Sequence, residues 1–212
     1  MPAVLDSAAR ELDKIADGIG AKVLADALDR LRALLPAAAG ESALSPADAC
    51  PDNNVTTRAG LALLDFEGAE YRHIAWDAAY LSVPWPSCWC RWRLPGEVRA
   101  AALRRYRDTV DLAYVDTSRF DDDVVRALVG WALISTSRFA ANALGDDSPP
   151  RDPRIVALPR RVMILNRLAH AAQARAVEPV LAEFAGSLHH RFSHRWGTVP
   201  LEYAPAFQPT HD

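Results

Sequence analysis

Asp48-Ala49-Cys50-Pro51-Asp52-Asn53-Asn54 opens the stretch that decides how this chain is read. Val55-Thr56-Thr57-Arg58-Ala59-Gly60-Leu61-Ala62-Leu63-Leu64 and then Asp65-Phe66-Glu67-Gly68 complete it. The first segment is dense in turn formers and does not suit a helix interior. Two short apolar runs flank Arg58-Ala59-Gly60, which predicts a hairpin with glycine where the turn wants positive φ. The second run leads directly into Asp65. A hairpin returns the chain on itself, so the loop at Asp48 and the turn at Asp65 are expected at one end of it.

That placement has chemical content. A carboxylate, an amide and a carboxylate on adjacent loops can hold Mg²⁺ with several waters retained. The first carboxylate can instead orient or deprotonate a hydroxyl. Phosphoryl transfer uses such a set: one orienting base, one Asn and one Asp on the metal. Asp48 with Asn53 alone reads as a capped turn. Asp65 beyond the hairpin, and Asp77 in Trp76-Asp77-Ala78-Ala79-Tyr80, tip the reading towards phosphate chemistry.

Taken in order, these landmarks resemble the catalytic and metal-binding loops of the aminoglycoside phosphotransferase and choline kinase-like family, a branch of the protein-kinase-like fold. The resemblance implies Asp48 as catalytic base, Asn53 and Asp65 as Mg²⁺ ligands, and ATP as phosphate donor to a small-molecule hydroxyl substrate. It also implies that Asp77 buttresses the catalytic loop. The match covers about residues 45–80. The sequence departs from the family pattern at Pro46, where the family has His, at Ala47, where it has Gly, and at Cys50, where it often has His.

Around this stretch the chain is helical in pattern. Apolar residues at three- and four-residue steps predict helices over 6–35, broken near Gly18 and Gly20, and over 73–83, 97–115, 121–144, 158–174 and 178–196. Residues 36–45 read as a loop. On the helix over 97–115, Arg99, Arg104, Arg105 and Arg107 are expected on the wet side, and Asp121-Asp122-Asp123 reads as a helix start. The expected fold class is mainly α with a small β-hairpin, the helical C-terminal lobe of the protein-kinase-like fold. One domain is expected over 1–212, comprising a helical segment 1–44, the hairpin region 45–80 and a helical subdomain 81–212.

Composition narrows the class. Lys+Arg 24 against Asp+Glu 27 leaves a net charge of −3, so the basic excess of a general nucleic-acid binder is absent. No apolar run approaches the ~20 residues of a membrane helix, and no membrane partner is expected. Three cysteines and an N-terminus without a leader pattern predict free thiols in a reducing cytoplasm. Cys50, Cys88, Cys90 and His73 are zinc-capable types, but their spacing is not that of a zinc module. Trp85 and Trp89 are expected to close the base of the core, and His189, His190 and His194 to form a solvated helix end.

The family's ATP lobe has no counterpart before Asp48, because Lys14 and Lys22 sit in helical patterns. MgATP is therefore expected to bind this chain alone more weakly than about 1 mM. The same absence would uncover Leu61, Leu63 and Phe66. The helix bearing Val23, Leu24, Leu28, Leu31 and Leu35 is expected to cover them, with a homodimer as the fallback. The rival to the enzyme is an inactive lobe kept as a binding or interaction module.

Overall fold

A computed structural model of the chain describes residues 1–24, 26–80, 82–83, 92–145, 159–198 and 200–208. The molecule is mainly α with two small antiparallel sheets. Helix α1 (Pro2–Ile19) buries Leu5, Ala8, Ala9, Leu12, Ile15 and Ala16, one stripe at helical spacing. Gly20 ends it in the left-handed region at φ 64°, where its N–H returns to the Ala16 and Asp17 carbonyls. Helix α2 is Ala27–Arg32.

The centre is α5 (Ser118–Leu144), capped by Thr117, whose hydroxyl accepts from the Phe120 N–H at 3.2 Å. By length and composition α5 could cross a membrane, yet 61% of its most apolar window is buried within the molecule. It packs on α1, on α3 (Ala75–Tyr80) and on α6 (Arg160–Ala172), and α6 packs on α7 (Pro179–Trp196). Trp76 of α3 is fully buried, and its ring meets Trp131 edge-on with centroids 5.5 Å apart. Trp131 donates its indole N–H to the Trp76 carbonyl at 2.9 Å, and Trp76 donates its own to Leu35 at 3.3 Å. Gly130 is required here: a Cβ would lie 2.4 Å from the Trp76 ring and 2.8 Å from Leu34.

The hairpin forms where the sequence predicts it. Strand β2 (Asn54–Thr57) pairs antiparallel with β3 (Gly60–Leu63), and Gly60 turns at φ 118°. A second sheet was not foreseen. Residues 36–45 were expected as loop, but Ser42–Ser45 is β1, paired antiparallel with β4 (Glu70–His73). Each strand has four residues, too short for alternation to stand out. The helix expected over 97–115 is α4 (Gly96–Thr109), followed by a 3₁₀ turn Ala113–Asp116.

One surface expectation needs correction. α2 packs on α1 and α7, and Leu61 and Phe66 remain 69% and 51% exposed. What reaches the loop at Asp48 is instead the start of α1, through Met1 and Val4. The helix expected to open at Asp121 begins at Ser118, and Asp123 in its first turns is buried, accepting from the Tyr114 hydroxyl and pairing with Arg126 at 2.7 Å.

Candidate active site

Two left-handed residues shape the site. Ala47 (φ 68°) and Asp65 (φ 61°) adopt a conformation that favours glycine, at a cost of roughly 1–2 kcal/mol each. Strain of this kind gathers where a side chain must be aimed. The two turns also touch, because a Cβ on Gly68 would lie 3.3 Å from the Ala47 Cβ. Asp48 and Asp65 consequently line one open pocket of about 310 Å³.

Asp48 is fixed locally. Its Oδ1 accepts from the Cys50 N–H at 3.1 Å and from the Tyr80 hydroxyl at 2.7 Å. The Asn53 amide nitrogen donates to the Asp48 carbonyl at 3.1 Å, and the Asn53 carbonyl accepts from the Leu64 N–H at 2.8 Å. The second bond ties Asn53 to the residue before Asp65. With its NH₂ group committed to the loop, the Asn53 side chain offers its oxygen as a ligand. Asn53 does not line the pocket that Asp48 and Asp65 share, so the three groups are neighbours along the loops rather than one lining set.

Asp77 stands behind this loop. Its Oδ1 accepts from the Ser45 hydroxyl at 2.7 Å and from Arg72 at 2.5 Å. The Ser45 oxygen in turn accepts from the Ala47 N–H at 3.1 Å, and Arg72 also donates to the Ala47 carbonyl at 3.5 Å. One carboxylate thus braces the strained residue next to Asp48. Arg72 is only 3% exposed at its side chain, and an unpaired charge there would be costly.

The pocket rim adds Glu67, Glu70, Arg72 and Arg138. The amino group of Met1 pairs with Glu70, which brings the start of α1 to the pocket. Arg138 lies on α5 and is exposed, a cation positioned to meet an anionic group entering the pocket. Sequence reasoning missed Ser45, Arg72, Tyr80 as an Asp48 partner, and Arg138. Only tertiary proximity marks them.

Hard oxygen donors from Asp65 and Asn53 fit Mg²⁺, which takes one or two protein carboxylates and completes its shell with water and phosphate. Among the described residues no three His, Cys, Asp or Glu side chains form a metal cluster. The expectation of free thiols fails at Cys50, which is buried and disulfide-bonded. Cys88, Cys90, Trp85 and Trp89 lie outside the described residues.

β4 also carries a buried histidine. His73 Nδ1 accepts from the Ala75 N–H at 3.2 Å, while Nε2 lies 3.4 Å from Glu41 and 3.8 Å from Asp123. Burial lowers its pKa, with Arg119 helping, against the pull of the two carboxylates. The Ala75 donor needs an unprotonated Nδ1, which agrees with a neutral ring.

Fold and pocket together define a mainly helical protein whose strained loop and hairpin bring two aspartates to one acidic cleft. No family model matches the chain, and no curated protein matches it.

Proposed function

We propose that this chain is the helical lobe of a kinase-like phosphotransferase, resembling the aminoglycoside phosphotransferase and choline kinase-like family. It would transfer the γ-phosphate of ATP to a hydroxyl of a small molecule. The observation that carries this reading is the shared pocket of Asp48 and Asp65, reached through two strained loops that touch at Ala47 and Gly68.

In this mechanism Asp48, held by Tyr80 and the Cys50 N–H, orients the substrate hydroxyl and accepts its proton. Asp65 and the Asn53 oxygen would hold Mg²⁺, which would supply charge neutralisation for the transferred phosphoryl group. Arg138 attracts the donor phosphates from the α5 side. Asp77 keeps the loop in register through Ser45 and Arg72. Lys14 pairs with Glu11 on α1, and neither it nor Lys22 lines the pocket, so weak binding of MgATP by the chain alone belongs to the proposal.

Transfer of labelled γ-phosphate from MgATP to a panel of amino alcohols, amino sugars and sugars tests it. Transfer to at least one acceptor, reduced about 10²-fold or more by Asp48→Asn, is expected. Transfer unaffected by Asp48→Asn would defeat the assignment. A second reading, a binding module, is favoured by one observation: Leu61, Leu63, Leu64 and Phe66 are exposed along the hairpin and the turn after it. Absence of transfer to every acceptor, with metal bound, would select it.

A further inference from the structure

The Asp48 loop is held by a short helix, and that helix is tied at its start by a histidine. α3 carries two side chains that fix the loop: Tyr80 donates to Asp48 at 2.7 Å, and Asp77 accepts from Ser45 and Arg72. With six residues, α3 is too short to persist on helix propensity alone. The N–H of Ala75 opens the helix and has no carbonyl partner within it. It donates instead to Nδ1 of His73 at 3.2 Å. Ala75 and His73 are both buried, so water does not stand ready to replace that acceptor, and losing it leaves a buried donor unpaired.

The other ring nitrogen sets the state of the histidine. Because Nδ1 accepts, the neutral ring carries its proton on Nε2. Nε2 lies 3.4 Å from Glu41, ahead of β1, 3.8 Å from Asp123 on α5, and 3.4 Å from the Tyr114 hydroxyl. Both carboxylates already have guanidiniums: Arg119 of α5 bonds Glu41 at 2.6 and 2.9 Å, and Arg126 pairs with Asp123 at 2.7 Å. From α4, the Tyr106 hydroxyl donates to the Ile74 carbonyl at 3.4 Å. Burial raises the pKa of Tyr106 and Tyr114, so both stay protonated at acidic and neutral pH. Acid therefore acts on the ring at one atom. A proton from water adds to Nδ1, and the Ala75 N–H then faces a donor where it had an acceptor.

We propose that His73 is a positioning residue for the Asp48 loop: its neutral ring caps α3, and protonation at Nδ1 breaks the cap and loosens the hold of Asp77 and Tyr80 on the loop. Burial, outweighing Asp123 and Glu41 and aided by Arg119, keeps the pKa of the ring below 6.5, so the cap is intact near neutrality and opens in acid. Slower phosphate transfer in acid is a consequence that rests on the phosphotransferase reading; the response of the loop does not.

The test uses the full chain without nucleotide or acceptor. Backbone hydrogen exchange, expressed as protection so that the intrinsic pH dependence cancels, is followed over residues 46–50 and 75–80 from about pH 7.5 to about pH 5, beside the ring titration of His73 by NMR. In the wild type, protection of both segments should fall about fivefold or more with the midpoint of the His73 titration, while residues 8–16 of α1 keep theirs. His73→Asn retains an oxygen that can accept an N–H two residues on and does not titrate. It should stay protected throughout, and since it keeps every other acid group it separates His73 from them. His73→Phe fills the space without an acceptor and should be poorly protected in both segments at every pH. Should His73→Phe fail to fold, the wild type and His73→Asn decide alone. Constant protection in the wild type down to about pH 5, or an equal acid loss in His73→Asn, overturns the proposal. The expected exchange pattern in a chain that transfers phosphate to no acceptor would count against the phosphotransferase reading and uphold the role of His73.

Discussion

The helical body and the hairpin face of this molecule obey different constraints. In the body, Trp76, Phe120, Phe184 and Phe192 are fully buried, and α5 is wrapped by α1, α3 and α6. At the hairpin face, Leu44, Leu61, Leu63, Leu64, Phe66 and Tyr71 stand in water, and two non-glycine residues hold left-handed conformations. The body is stabilised by removing apolar surface from water. The face is held by a few directed contacts: Asp77 to Ser45 and Arg72, and Tyr80 to Asp48. Stability resides in one region, and the chemically capable groups reside in the other.

Substitutions should separate the two regions by the size of their effect. The largest is expected at the tryptophan pair. Trp76→Ala removes a fully buried ring and should cost about 3–5 kcal/mol in denaturant unfolding. Gly130→Ala should also destabilise, by about 1–3 kcal/mol, because its Cβ meets the same ring. A cost below about 0.5 kcal/mol for both would mean that this core is loosely packed.

Next comes the brace between the regions. Asp77→Ala strands Arg72, whose side chain is 3% exposed, and should cost about 3 kcal/mol. It should also speed hydrogen exchange in residues 46–50. Loss of stability without faster exchange there would detach Asp77 from the loop.

Acid should act mainly through the body and the sheet beside it. Burial lowers the pKa of His73, His170 and His189 from 6.5. The unfolded chain then binds protons more readily than the folded one. This contribution to stability is present in full above about pH 6.5 and is lost as pH falls below it. Chemical denaturation between pH 7.5 and 5.5 should show the decline, and His73→Gln should flatten part of it. An unchanged slope in His73→Gln would remove His73 from that account.

The smallest effect is expected at the exposed face. Leu61→Ser and Phe66→Ser should each change stability by no more than about 0.5 kcal/mol. A cost of several kcal/mol would show that the hairpin is covered in solution, for which the sedimentation coefficient would then reveal a homodimer.

Legibility in the sequence followed range. The helices α1, α5, α6 and α7 could be read because their apolar spacing is local and long. The hairpin was legible because Gly60 marks its turn. β1 and β4 were not, since each is a four-residue strand made by a partner far along the chain. Asp48, Asn53, Asp65 and Asp77 stood out as residue types at characteristic spacing. Arg138 beside the Asp48 pocket, and Tyr80 as a partner of Asp48, depend on which helices come together, and spacing carries no trace of that. Arg99, expected on the wet side of its helix, is half-buried, for a related reason: a helix with few apolar residues does not announce which face is covered.

Manganese binding tests the central assignment most directly. Mn²⁺, standing in for Mg²⁺, is titrated into the full chain and free Mn²⁺ is followed by electron paramagnetic resonance. Wild type and Asp48→Asn should both bind it. Asn53→Ala should bind more weakly, and Asp65→Asn should lose binding. Equal binding by wild type and Asp65→Asn, or no binding by wild type at millimolar Mn²⁺, would contradict Asp65 as the metal ligand and with it the phosphotransferase reading.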